Sequence, residues 1–231
     1  MLSLLLLLAC QRDTGRVNSA DYDAFWLWAG VTPQPVLDDA KTIYILQGEV
    51  RQSGRARIVG LRAATPKIRH ATLWIVYRVE TIKWGDDIVG QMTQDLERWR
   101  MNGNTVAGIQ IDFDSATQEL PLYTAFLKQL RSKLPPDCGL SITGLLDWSR
   151  GSKGDSDGLN PLAGVVDELV LQTYQGRHTI LRYEAYMDGL KRLKLPFKIG
   201  LVQGGAWNAP RSLTTNPNFR GYVVFLLNPD T

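Results

Sequence analysis

The chain has 231 residues, 44% of them hydrophobic, and a formal charge of +3. That is enough for one sizeable core and short for two. The small, dispersed charge excess argues against a dedicated nucleic-acid binder, and no apolar run reaches the length of a membrane-spanning helix.

The first ten residues, MLSLLLLLAC, are a leucine-rich run ending in Leu-Leu-Ala-Cys, and the polar segment QRDTGRVNSA follows. The run resembles a bacterial lipoprotein signal, in which the cysteine becomes the lipidated first residue of the mature chain. The usual positive segment ahead of the apolar run is missing. The resemblance implies a signal over 1–10, a polar tether over 11–21 and a folded domain over 22–231. It also implies a lipid anchor on Cys10, and so a protein held at the bacterial envelope, on the outer membrane or the periplasmic face. With Cys10 lipidated, Cys138 is a lone thiol, and two cysteines are too few for a disulfide framework.

From Asp23 onward, short runs rich in β-branched and aromatic residues alternate with amphipathic or polar segments. The runs are DAFWLWAG (23–30), TIYILQGEV (42–50), ATLWIVYRVET (71–81), AGIQIDFD (107–114), GLSITGLLDW (139–148), VVDELVLQTY (165–174), FKIGLVQ (197–203) and FRGYVVFLLN (219–228). Turn residues bound them, as expected of strands. Ile88, Met92, Leu96 and Trp99 recur at helical spacing, as do Leu122, Phe126, Leu130 and Leu134. The second helix starts at Ser115-Ala116-Thr117-Gln118, which fits a capping box. A third is predicted from about Ile180 to Lys194, with Tyr183, Met187 and Leu190 on one face and Leu195-Pro196 as its stop. Strands alternating with helices at this length predict an α/β fold, a small (β/α)8 TIM barrel. An open doubly wound sheet is the alternative. The first two connections are short for full helices, and residues 204–218 leave little room for a seventh. The barrel is therefore expected to be stripped down.

Barrel enzymes place their chemistry at the C-terminal ends of strands. Those ends read Gln47 and Glu49, Arg78 and Glu80, Asp112 and Asp114, Asp147 with Trp148, Gln172 and Tyr174, Gln203, and Asn228. In GIQIDFD, residues 108–114, the polar Gln110, Asp112 and Asp114 alternate with Ile109, Ile111 and Phe113. Alternation puts the polar set on one face, here the barrel mouth, with the carboxylates roughly 7 Å apart. Two carboxylates that close do not both ionise cheaply, so one is expected to hold its proton to higher pH while Arg78, one strand away, keeps the other ionised. A protonated acid beside a carboxylate is what glycosidic cleavage requires.

GIQIDFD also resembles the fourth-strand signature of glycoside hydrolase family 18, Gly-h-Asp-h-Asp-h-Glu, where h is apolar. Gln110 takes the first acidic place, Asp112 the middle one, and Asp114 that of the acid/base glutamate. LQTYQG (171–176) resembles that family's sixth-strand Met-x-Tyr-Asp, with Tyr174 on the tyrosine and Gln175 on the aspartate. Phe225, in GYVVFLLN, falls near the family's last-strand tryptophan. The segments YRVET, QIDFDSAT and RGYVVF are similar to an uncharacterised bacterial family of lipoprotein-like barrels, catalogued as domain of unknown function 3142. The catalytic glutamate has become a shorter aspartate and two supporting acids have become glutamines, which sets this chain apart from the chitinases.

The resemblance implies a glycosidase-like barrel acting on a polysaccharide or glycan, without a cofactor. Asp114 would be the general acid. Asp112 would be its electrostatic partner, orienting an acetamido group if cleavage is substrate-assisted, and Tyr174 would hydrogen-bond near the reacting carbon. Glu80 or Asp147 is the candidate second carboxylate of a two-acid mechanism. Gln110, Arg78, Gln172 and Gln203 complete the candidate substrate-binding set, with Trp148 and Trp207 stacking on sugar faces. Trp26, Trp74 and Trp99 are read as core. The rival reading is a barrel that has lost its acid and only holds a sugar or a partner.

No His pair or Cys cluster has zinc spacing. A divalent ion on Asp112 and Asp114 would need further oxygen ligands, with Glu80 the only near candidate, so no metal is expected. Asp155-Ser156-Asp157-Gly158 faintly resembles a calcium loop but lacks the remaining acidic positions. It reads as a solvated loop over the mouth. Phosphate-binding glycine loops and nucleophile elbows are absent.

Overall fold

The computed structural model describes residues 15–150 and 158–229. Cys10, the signal, the start of the tether and the Asp155–Asp157 stretch lie outside the described residues.

Eight parallel strands close into a barrel: β1 (Ala24–Leu27), β2 (Thr42–Ser53), β4 (Thr72–Val79), β5 (Thr105–Asp112), β6 (Gly139–Leu145), β7 (Glu168–Gln172), β10 (Phe197–Val202) and β11 (Phe219–Phe225). Closure comes from β1, which pairs with β11 on one side and β2 on the other. The small (β/α)8 barrel is thus the fold, and the open sheet is excluded. All eight predicted runs supply a strand. Parallel strands are covered on both faces, and β4 shows it, with Leu73 through Tyr77 all buried.

The connections are as sparse as expected. A single 3-10 turn at Pro35–Leu37 joins β1 to β2. The β2–β4 connection holds an unexpected antiparallel strand, β3 (Arg55–Gly60), which pairs with the extended end of β2 around Gly54 at φ +75°. The tight turn favours glycine because an L side chain is strained there. Helix α1 (Asp86–Met101) follows β4 and buries Ile88, Met92, Leu96 and Trp99. Asp86 and Asp87 in its first turn and Arg98 and Arg100 in its last complement the helix dipole.

Helix α2 (Leu120–Lys133) departs from the expected face and start. Its buried side is Leu120, Tyr123, Thr124, Leu127 and Leu130, while Leu122 is 59% exposed. Both stripes have helical spacing, and the tyrosine wins because its ring packs against Phe113 and Trp148. The capping box does not form. Ser115 is buried, its hydroxyl turns to the Ala116 carbonyl, and a 3-10 turn at Thr117–Glu119 leads into the helix instead.

The predicted third helix shrinks to one α turn, α3 (Glu184–Met187), continued as 3-10 turn over Asp188–Arg192. Tyr183, Met187 and Leu190 are nevertheless buried. Gly189 presses on the Ser149 carbonyl, where an added Cβ would lie 1.9 Å from the oxygen. Docking against that backbone replaces a regular helix. A two-strand excursion, β8 (Tyr174–Gln175) and β9 (His178–Thr179), was not legible in the sequence. Residues 15–17 of the expected tether dock on the barrel, where Val17 is buried and exchanges backbone bonds with Gly204 and Gly205.

Inside the barrel the pleat alternation holds. Ile109 and Ile111 join the core under the helices, while Gln110 and Asp112 point inward. Gln110 does not reach the mouth, which corrects its assignment as a substrate-binding residue. Its carbonyl accepts the Trp26 indole N–H at 2.8 Å, and its amide donates to Ser141 Oγ at 2.8 Å. Ser141 donates to Glu168 Oε1 (3.2 Å), which also accepts the Tyr44 hydroxyl (2.5 Å). Lys198 completes the chain at 3.0 Å from Glu168 Oε2.

Glutamine rather than an acid at position 110 follows from bond polarity. One neighbour offers a hydrogen and the other needs one, and an ionised carboxylate can only accept. Gln110→Glu, which restores the acid of the family signature, is expected to lower stability by about 3 kcal/mol at neutral pH. Part should return in acid, when the new carboxyl regains a donor. Urea unfolding across pH checks both.

Candidate active site

The C-terminal ends of β1, β4, β5, β6 and β7 surround a cleft of about 510 Å³, lined by Trp28, Arg78, Asp112, Asp114, Leu145, Leu146, Asp147, Gln172, Tyr174, Gln175, Gly176 and Ile180. Six of the sequence-predicted residues meet there: Arg78, Asp112, Asp114, Asp147, Gln172 and Tyr174.

Asp112 is the last residue of β5 and only 4% exposed. Thr143, on the neighbouring strand, donates to its Oδ1 at 2.6 Å. Asp114 lies two residues past the strand and is 56% exposed. The Arg78 guanidinium stands between them, 4.0 Å from Asp112 and 3.6 Å from Asp114, and over the Trp28 ring at 5.8 Å. One charge therefore serves two carboxylates.

Burial pushes the Asp112 carboxyl up to about 6, against the Thr143 hydrogen bond and the Arg78 charge, both of which lower it; the Asp114 charge adds a smaller upward push. The expectation that one acid of the pair holds its proton is met on Asp112. Its main cause is desolvation rather than the like charge next door.

Tyr174 follows β7 and is carried by the short β8–β9 excursion, which turns at Gly176 with φ +58°. Its ring packs on Phe225, which stacks in turn on Trp26. The hydroxyl is buried with no hydrogen-bond partner among the described residues. Burial, and the nearby Asp112 and Asp114 charges, push its pKa well above that of an ordinary phenol. It is a proton-bearing donor on a residue that lines the cleft, with no acceptor among the described residues.

The other predicted residues stand elsewhere. Glu80 is exposed beside the cleft, on a smaller concavity shared with Arg78 and Asp114, and its Oε2 accepts the Gln52 N–H. Gln203 exchanges amide hydrogen bonds with Gln34 at 3.1 and 2.7 Å and does not line the cleft. Trp148 is fully buried beneath α2, donating its indole N–H to the Ser115 carbonyl at 2.8 Å. Trp207 is buried between Tyr183 and Tyr222. Neither tryptophan is placed to stack on a sugar. Trp26, Trp74 and Trp99 are core, as expected.

The aromatic that does face the cleft is Trp28, which sequence reading passed over. Its signal was the alternation in DAFWLWAG, where Trp28 shares the inward face of Trp26 one step nearer the rim. Thr143 was signalled the same way by Ser141 in GLSITGLL. Among the described residues no group of three or more His, Cys, Asp and Glu side chains gathers at metal-binding spacing.

Comparison with known proteins places this site in context. Residues 82–182, the stretch carrying Asp112, Asp114 and Tyr174, match a family described as "Domain of unknown function (DUF3142)". The resemblance read from the sequence holds over that stretch. No curated protein matches the chain. Among solved structures, the crystal structure of the Bacillus cereus spore cortex-lytic enzyme SleL is similar, with a TM-score of 0.55 at 17% identity. The match covers 78% of this chain and 49% of that one, so this chain spans about half the length of its structural relative. The likeness is one of fold alone.

The Asp112 shift has a sign that stability measurements can read. Its pKa is raised from 3.8 to about 6, so between those values the folded state holds a proton that the unfolded state releases. The contribution to stability is greatest below about 3.8 and is lost as pH rises through about 6. Ionised Asp112 therefore costs on the order of 3 kcal/mol at neutral pH. Asp112→Asn keeps an acceptor for Thr143 and is expected to be more stable than wild type at pH 8, with the gap closing below pH 5. Thermal melts of both proteins over that range check it.

Proposed function

We propose that the cleft cleaves a glycosidic bond in a polysaccharide or glycan by acid catalysis. The observation that carries this reading is the Tyr174 hydroxyl, buried and unpartnered on the wall of a cleft that also holds Asp112 and Asp114. Sugar-cleaving sites need a proton for the leaving oxygen and a carboxylate facing the developing positive charge. Asp114, exposed on the rim, is the general acid: it delivers to the leaving oxygen the single proton that the pair carries, which rests on Asp112 when the cleft is empty. Asp112, deeper and fixed by Thr143, is the carboxylate whose negative charge stabilises the oxocarbenium-like centre. Tyr174 donates to the substrate beside the reacting carbon, and Trp28 offers the apolar surface on which a sugar ring rests. Arg78 keeps the two carboxylates compatible in one cleft.

Asp114→Asn is expected to reduce hydrolysis about 100-fold or more while glycan binding and melting temperature stay close to wild type. The assay is product release from a panel of peptidoglycan, chitin oligomers, deacetylated glucosamine polymers and exopolysaccharide, with both proteins side by side. Because the pair must carry one proton to spend on the leaving oxygen, and that proton is released as Asp112 ionises, wild-type kcat/KM should fall as pH rises through about 6. Binding without release by either protein would instead make this a sugar-holding barrel, and equal release by both would remove Asp114 from the mechanism.

The reading extends to location. A lipid on Cys10 would hold the barrel at the bacterial envelope, within reach of such glycans. Cys10→Ser is then expected to move the full chain from the membrane fraction to the soluble one; unchanged fractionation counts against the anchor.

A further inference from the structure

The charge of the cleft says more about the substrate than its shape does. Three carboxylates line it, Asp112, Asp114 and Asp147, against a single guanidinium, Arg78. Arg78 is already shared between the first two. Asp147, exposed at the start of the turn that follows β6, makes no ion pair or side-chain hydrogen bond among the described residues.

An acidic rim alone is a solvated rim. The second observation is the Tyr174 hydroxyl, buried on the same wall and left without an acceptor. A buried hydroxyl with no partner is unfavourable, and of the unpartnered buried groups among the described residues only this one belongs to the cleft lining, where a polar ligand would complete it. A neutral sugar would give Tyr174 its acceptor and leave the carboxylates uncompensated. An anionic sugar would add like charge to the same space, which opposes binding. A sugar bearing an ammonium group answers both demands, since its ring and hydroxyl oxygens accept from Tyr174 and its amine donates to a carboxylate.

Resting on the glycosidase-type reading of this cleft, we infer that its substrate class is a cationic glycan, a hexosamine polymer with free amino groups, and that Asp147 is the ammonium subsite. Asp147 stands apart from the pair held by Arg78, so it recognises a sugar without drawing on the carboxylates assigned to bond cleavage. A free amine cannot act as an internal nucleophile in the way an acetamido oxygen can. The charge supplied by Asp112 is then the stabilising element at any sugar that carries one.

The test is calorimetric binding of glucosamine pentamers, β-1,4- and β-1,6-linked, each as the free amine and as the N-acetylated form, to the full chain at about pH 6.5. The free-amine form is expected to bind about tenfold more tightly at low salt, and the preference to shrink as salt screens it. In Asp147→Asn the preference should fall to about threefold or less, whereas Asp147→Glu should keep it. An unchanged melting temperature confirms that the exposed substitution leaves the fold intact. Equal or tighter binding of the acetylated pentamers, or a preference indifferent to Asp147→Asn, overturns the inference and leaves the glycan reading standing. Failure of all four pentamers to bind overturns the inference, and the glycan reading then stands or falls on the hydrolysis panel.

Discussion

A hydrogen-bonded chain of side chains runs across the inside of the barrel, and the rest of the molecule is arranged around it. It passes from Trp26 through Gln110 and Ser141 to Glu168, where Tyr44 and Lys198 meet it. These residues come from β1, β5, β6, β7, β2 and β10, so the chain ties together strands far apart in sequence. The two remaining strands close on it through stacked rings, Trp74 on Tyr44 and Phe225 on Trp26. A buried polar network of this kind is tolerable only when every member is satisfied. That condition limits what each position can be, and it fixes the strand register one layer below the cleft.

The site inherits its properties from that layer. Asp112 sits one inward position above Gln110, too deep for water to solvate its charge freely and next to Thr143, which sits one inward position above Ser141. Burial at that level is what raises its carboxyl to about 6. Two residues further along the chain the strand has ended, and Asp114 is largely in solvent. A pair of carboxylates in the same short motif thus receives two environments, and the buried one holds its proton to a higher pH than a solvated aspartate would. Tyr174 shares the arrangement, since its ring packs on Phe225 and its hydroxyl is left without an acceptor among the described residues.

Much of this was legible in the sequence because period-2 alternation and turn residues mark a parallel strand wherever they occur. All eight runs became strands, and the inward parity of Gln110 and Asp112 was right. What failed were matters of depth and of competition. Alternation says which way Gln110 points, not how far below the rim it lies. Trp148 and Trp207 follow strand ends, as sugar platforms often do, yet α2 and the Tyr183–Tyr222 pair cover them. Leu122 and Tyr123 both continue a helical stripe, and only the position of Phe113 and Trp148 decides between them. The shortened third helix depended on Gly189 meeting the Ser149 carbonyl, a contact between segments 40 residues apart.

The depth of Gln110 also changes what the departures from the glycosidase signature mean. Read as a sequence, the loss of the first acid suggests decayed catalysis. In the fold, Gln110 touches no cleft surface, and its amide is required by a donor on one side and an acceptor on the other. That substitution is explained by packing and bears little on chemistry. Two departures remain in the cleft lining, Gln175 in the place of the family's sixth-strand aspartate and the aspartate at position 114, and the consequence of the second is one of reach: a side chain shorter by one carbon, about 1.5 Å. On the proposed glycosidase reading, an acid short by that much requires the sugar to sit correspondingly lower or nearer the β5 edge. Trp28 bears on this, because it lines the cleft with the carboxylates, while Phe225, near the place of the resembling family's last-strand tryptophan, lies buried against the Trp28 ring. On the same reading, an aromatic surface on the first strand rather than the last would shift the resting place of a sugar ring around the barrel, and the shorter acid and the displaced platform would be changes of the same kind.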